Sequence, residues 1–289
     1  MTNYIVCSEQ LKQEFNPENK PIITNEDYKD IIEKPNCSDT IIWNAFAPWK
    51  YSNNNNNPCL IWKMIEKAFK NKLDDTDFKN NSYSFFGHAP RYFRHSIPDL
   101  VVKDNKKNCL ILESKFTEDS SKVEEEKCDQ VTSYLCDIFH KLCVNEVTNP
   151  YLIILYPNEI GKYYEYFQIM ETHIKNTEKI RESLKNCLER RKKKNDVFYN
   201  QQYDECYPKL LNIEDDINIK KISENIALFT WEDFKILLFE CIKESNYKNY
   251  GLDDNGWHQY QNFFKDRVDK DFLLRCILSP RSNLELLSK

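Results

Sequence analysis

IPDLVVKDNKKNCLILESKF, residues 97–116, is the stretch on which the reading of this chain turns. IPDLVV (97–102) is rich in β-branched residues, and CLILESKF (109–116) is an apolar run that turns polar near its end. Asp104-Asn105-Lys106-Lys107-Asn108 between them is a turn-forming connection, so the two runs are expected to form an antiparallel hairpin. Asp99 then lies near the start of the first strand and Glu113, fourteen positions on, near the end of the second. In a hairpin those ends are neighbours, and the two carboxylates meet. Side chains alternate along a strand, so Glu113 and Lys115 share one face. Ser114 points to the other face, with its backbone carbonyl still able to reach a cation. Charged residues are rare at the ends of buried strands unless paired or functional.

This arrangement suits phosphodiester hydrolysis. Mg²⁺ prefers oxygen ligands and takes one or two carboxylates from a protein, here Asp99 and Glu113, with Mn²⁺ as a substitute. A bound Mg²⁺ polarises the phosphate and lowers the pKa of a water. Lys115 orients that water and offsets the charge that builds in the transition state. The bare Glu-x-Lys pattern carries little information, because Glu18–Lys20 and Glu125–Lys127 match it too. The context of 113–115, at the end of an apolar strand and across a turn from Pro98-Asp99, sets that copy apart.

Outward from the hairpin, further elements follow. SYSFFG (82–87) has strand character. Residues from Pro58 carry Leu60, Ile61, Met64, Ile65, Ala68 and Phe69 at helical spacing, and Pro58 suits a first helical turn. A helix is expected over about 122–144, a buried strand at YLIILYP (151–157), and one long helix over about 159–194. Residues 195–222 are polar and poorly patterned. Ile226–Phe229 reads as a short strand, and WEDFKILLFECIK (231–243) as a helix with Thr230 as N-cap and Asp233 as its acidic partner. The asparagine run 53–57 reads as a loop. The order predicts a three-layer α/β core with a mixed sheet flanked by helices. It divides into an N-terminal extension (1–57), a core (58–243) with a helical insertion over about 159–225, and a helical tail (244–289).

Composition narrows the classes. Aromatic residues make up 13% of 289, which excludes a disordered chain. The net charge of −5 confines any nucleic-acid contact to local basic patches. Eleven irregularly spaced cysteines with no CxxC pair argue against both a disulfide framework and a structural zinc site. With no secretory pattern at MTNYIVCSEQ and no long apolar run, a cytoplasmic protein is expected, with no membrane partner. Only four glycines are present, without GxxxxGK[ST], GxGxxG or GxSxG, so the usual nucleotide loops and the serine-hydrolase elbow are missing. Asp253-Asp254-Asn255-Gly256 reads as a turn. Arg91, Tyr92 and Arg94, with Phe93 and His95, precede Pro98-Asp99 as candidates for backbone binding and base stacking. Arg190-Arg191-Lys192-Lys193-Lys194 is read as cations suiting a helix C-terminus.

IPDLVV, CLILESKF, Asp129-Gln130 and Tyr134 together resemble the PD-(D/E)xK nucleases, a superfamily that includes many restriction endonucleases and recombination exonucleases. The resemblance covers about 58–160, and more weakly 226–243. It implies a restriction-endonuclease-like core and a Mg²⁺-dependent deoxyribonuclease leaving 5′-phosphates, such as an endonuclease of bacterial defence or restriction. DNA is the implied partner, together with a second copy or a defence-system protein. Some members carry a Gln and a Tyr four residues apart on the helix after the Glu-x-Lys strand. Gln130 and Tyr134 fit, and residues at that spacing share a helix face. The resemblance implies that the glutamine places the lysine or the nucleic acid, and that both residues shape the pocket. It further implies an acid from the first core helix, for which Glu66 is the candidate; a border charge on an amphipathic helix explains Glu66 equally well. An RNA-cleaving enzyme of the same fold, and a silent binding module built on it, are the alternatives.

Overall fold

Two apolar runs joined by a tight polar turn do form the centre of the structure. The computed structural model describes residues 38–51, 59–70, 82–85, 98–114, 129–156, 165–194, 196–212, 216–244 and 252–268, with residues 10 and 248 besides. Strand β2 (Leu100–Lys103) pairs antiparallel with β3 (Asn108–Ser114), in the register Leu100 opposite Leu112 and Lys103 opposite Cys109. Asp104 organises the turn. Its carboxylate accepts from the backbone N–H of Lys106 (2.9 Å) and of Asn108 (2.8 Å) and from the Asn108 amide (2.6 Å). These side-chain bonds hold the loop as an Asx-type turn and let Lys107 sit at φ 66° without a glycine.

β1 (Ser82–Phe85) lies antiparallel on the outer side of β2. β4 (Asn149–Tyr156) runs parallel to β3, and β5 (Ile226–Thr230) parallel to β4, which gives the sheet order β1-β2-β3-β4-β5. A parallel neighbour requires a crossover. Helix α3 (Gln130–Cys143) supplies it between β3 and β4.

Alternation divides the sheet into two cores. Leu100, Val102, Leu110, Leu112, Ile153 and Leu155 face one layer, built from α1 (Ser38–Tyr51), α2 (Cys59–Phe69), α8 (Trp231–Glu244) and α9 (Asp254–Val268). Val101, Cys109, Ile111, Leu152 and Ile154 face the other, built from α3, α4 (Glu165–His173), α5 (Thr177–Lys192), α6 (Val197–Leu211) and α7 (Asp216–Glu224). The architecture is therefore a three-layer α/β fold with a mixed five-stranded sheet, as the element order predicts. No helix among the described residues is long and apolar enough to cross a membrane.

Several boundaries follow the sequence reading. The Thr230 hydroxyl accepts from the Asp233 N–H at 3.0 Å and starts α8. The Asp129 carboxylate accepts from the Thr132 N–H at 2.7 Å and starts α3, so the described part of the expected 122–144 helix begins at Gln130. The stretch 53–57 lies outside the described residues.

Other elements differ from expectation. The single helix expected over 159–194 is two, α4 and α5, broken where Lys175 takes φ 57° and Asn176 caps α5 by accepting from the Lys179 N–H at 3.0 Å. The poorly patterned 195–222 stretch holds α6 and α7. The buried face of α6 is Tyr199, Gln202, Cys206 and Leu210, and its polar member hides the helical period. Residues 38–51, placed in the extension by the sequence reading, form α1, and Ile41, Ile42, Trp43, Phe46 and Trp49 are buried in the first core. Pro48 sits inside that helix and has no N–H to give the carbonyl of Asn44, four residues back. The Tyr260 hydroxyl of α9 donates to that carbonyl at 3.0 Å instead.

One core residue opposes folding. Lys141, in the last turn of α3, is 2% exposed. Burial lowers its pKa to about 8. A lysine whose folded pKa lies below its unfolded value destabilises the fold wherever both states are protonated, and the effect fades as pH rises from the folded to the unfolded pKa. Lys141→Met is therefore expected to raise stability by about 2 kcal/mol at pH 7. The gain over wild type should shrink above pH 8 and vanish near pH 10.5. Urea unfolding of both proteins from pH 6 to 10 measures it; a gain that does not change with pH would place the effect in packing instead.

Candidate active site

The end of the β2–β3 hairpin carries the site. Glu113 is the sixth residue of β3 and falls on the same face as Cys109 and Ile111, against α3. It is 2% exposed, deep for a carboxylate. The Tyr134 hydroxyl of α3 donates to Glu113 Oε2 at 2.7 Å, and Gln130 Nε2 donates to the Tyr134 oxygen at 2.5 Å. Gln130 and Tyr134 share one helix face, as their spacing of four requires. Here that face looks along the sheet to the end of β3.

Asp99 is half-buried just before β2. Its Oδ2 accepts from the Ser114 backbone N–H at 2.7 Å and from the Ser114 hydroxyl. The register carried one step beyond Leu100–Leu112 sets Asp99 opposite Glu113. Ser114, expected to offer a backbone carbonyl, uses its amide and hydroxyl to fasten Asp99 to the end of β3. Burial raises the pKa of the Tyr134 phenol well above its ordinary value, the Glu113 charge adds to this, and the Asp99 charge adds further. Both carboxylates thus act on one hydroxyl, which stays protonated and a donor.

The remaining expected site residues divide in two. Lys115, Arg91, Tyr92 and Arg94 lie outside the described residues. Glu66 is exposed on α2, in the layer across the sheet from α3, and no described contact joins it to Asp99 or Glu113. Its neighbours Lys63 and Lys67 pair with Glu244 (2.6 Å) and Asp233 (2.8 Å) of α8.

As a cation site, the donor set is two carboxylates on adjacent strand ends. Among the described residues no group of three or more His, Cys, Asp or Glu forms a cation cage. Two carboxylates with water and substrate oxygens are what Mg²⁺ ordinarily takes, so the residues present fit it; a zinc or calcium site would need more protein ligands.

Arg191, read in the sequence as one of the cations of a helix C-terminus, is instead part of the core. Arg191 is buried at the centre of the α3–α5–α6 layer. It donates to Asp137 (2.7 Å) and Gln202 (2.7 Å) and to the carbonyl of Ser133 (3.2 Å), and it lies over the Tyr199 ring at 5.4 Å. Burial works against its charge, and Asp137 outweighs that and holds the guanidinium protonated. Asp137 and Ser133 flank Tyr134 on α3, so Arg191 grips the helix that carries the site. Its register with Leu184, Cys187 and Leu188 on the buried stripe of α5 was the available signal.

No family model matches the chain, and neither a curated protein nor a solved structure does.

Proposed function

We propose that this chain is a metal-dependent nuclease of the PD-(D/E)xK type, a restriction-endonuclease-like enzyme that hydrolyses DNA phosphodiester bonds. The observation that supports it best is that Asp99 accepts from Ser114 at the end of β3 while the neighbouring Glu113 accepts from the Tyr134 hydroxyl, which puts both carboxylates at one end of the hairpin. Two strands and a crossover helix hold these groups, so the carboxylates are set in place before any ligand arrives. Asp99 and Glu113 would hold Mg²⁺, whose chemistry there is polarisation of the phosphate and activation of a water. Ser114 fixes the direction of Asp99. Lys115, two residues after Glu113 in the sequence, would steady the attacking water and the developing charge. Arg91, Arg94 and Tyr92 contribute backbone contacts and stacking from the segment before Pro98. DNA as substrate, internal cleavage and a role in bacterial defence rest on the sequence resemblance.

The test is cleavage of circular and linear DNA, and of matched RNA, by wild type, Asp99→Ala and Lys115→Ala with Mg²⁺, Mn²⁺ or EDTA. The expected result is opening of the circle by wild type alone, blocked by EDTA. Cleavage of RNA only would reassign the substrate. Identical behaviour of all three proteins under every metal would leave a binding module in place of an enzyme.

A further inference from the structure

Glu113 is buried, and a buried carboxylate can be aimed by whatever donates to it. Its Oε2 takes the Tyr134 proton at 2.7 Å. That proton has a defined direction, because the phenol oxygen itself accepts from Gln130 at 2.5 Å and so turns its O–H toward Glu113. Tyr134 is fully buried in the second core, so the ring cannot swing away. Asp137 and Ser133, on either side of it, are tied to Arg191, which fixes the rotation of α3 about its axis.

We propose that Tyr134 is a positioning residue: the chain from Gln130 through Tyr134 to Glu113 holds the Glu113 carboxylate in the one orientation that presents it, beside Asp99, to a divalent cation. The proposal rests on the nuclease reading. Tyr134 touches neither the cation nor the phosphate. It acts as the outer hydrogen-bond partners of metal-binding side chains do, by removing the rotamer freedom that the cation would otherwise have to freeze. A tyrosine that merely fills the core would do the same packing without its hydroxyl.

Tyr134→Phe keeps the ring and deletes the donor. Mn²⁺ binding by wild type, Tyr134→Phe and Glu113→Gln, followed by electron paramagnetic resonance of the free ion, separates the possibilities. Tyr134→Phe is expected to bind Mn²⁺ about tenfold more weakly than wild type. The Mg²⁺ concentration for half-maximal cleavage should rise with it. Wild-type Mn²⁺ affinity in Tyr134→Phe, with binding lost in Glu113→Gln, overturns the positioning role and leaves the nuclease reading standing. A wild type that takes up no Mn²⁺ at millimolar concentration overturns both. Should Tyr134→Phe fail to fold, Gln130→Leu decides, since Gln130 is only half-buried in the first turn of α3; weakened Mn²⁺ binding supports the role and unchanged binding overturns it.

Discussion

Glu113→Gln is expected to abolish cation-dependent DNA cleavage while the chain stays folded. Glutamine has the shape of glutamate, and its carbonyl oxygen can still accept from the Tyr134 hydroxyl, so the packing of β3 against α3 survives. What disappears is one of the two charges that Asp99 and Glu113 together offer a divalent ion. Only 2% of Glu113 is exposed, so no water shell replaces that charge. Losing a group that stabilises transition-state charge in a dry site lowers the rate by about 10²–10³-fold or more. Initial rates on supercoiled DNA, with a thermal melt of the same sample, give the result. More than a tenth of wild-type rate in the variant would move the catalytic centre elsewhere.

The largest expected effect on stability is at Arg191. Arg191→Met leaves the Asp137 carboxylate buried without the guanidinium that neutralises it, and leaves the Gln202 amide and the Ser133 carbonyl each short of a donor. Breaking a buried pair by removing one partner costs about 3–5 kcal/mol. In a domain of this size that lowers the melting temperature by about 10 °C. The double variant Arg191→Met with Asp137→Leu is expected to recover part of the loss, because replacing both charges removes the uncompensated ion. Recovery stays incomplete, since Gln202 also donates to Asp137 at 3.0 Å and loses both partners. A single variant as stable as wild type would show that the Arg191 bonds to Asp137, Gln202 and Ser133 do not hold this layer together.

The two effects fall on different links. On the proposed reading Glu113 would act on chemistry and barely on folding, and Arg191 on folding and on chemistry only through α3. The strands were legible because continuous apolar runs bounded by turn residues have few other readings, and the β2–β3 turn announced itself through Asp104 and the four asparagines and lysines that follow it. From strand alternation alone, Asp99 and Glu113 could be brought together. The bond from Tyr134 to Glu113 could not, because it depends on the angle at which α3 crosses the sheet. Helices α4 and α5 were legible as helix but not as two, and α6 was hidden because Gln202 occupies a core position in a stripe that otherwise signals an apolar face. Helix α1 was missed for the opposite reason. It is apolar all round, and Pro48 inside it reads as a breaker until Tyr260 is seen to supply the missing bond.

That bond spans 216 residues of chain, from Asn44 to Tyr260. A ribosome adding about 5–20 residues per second takes tens of seconds to cover the interval. Throughout it, the Asn44 carbonyl waits for the Tyr260 donor. The layer that holds the earliest described helix is therefore completed only once the segment bearing Tyr260 has been made. Truncated products lacking 254–268 would lose the Tyr260 donor to that carbonyl.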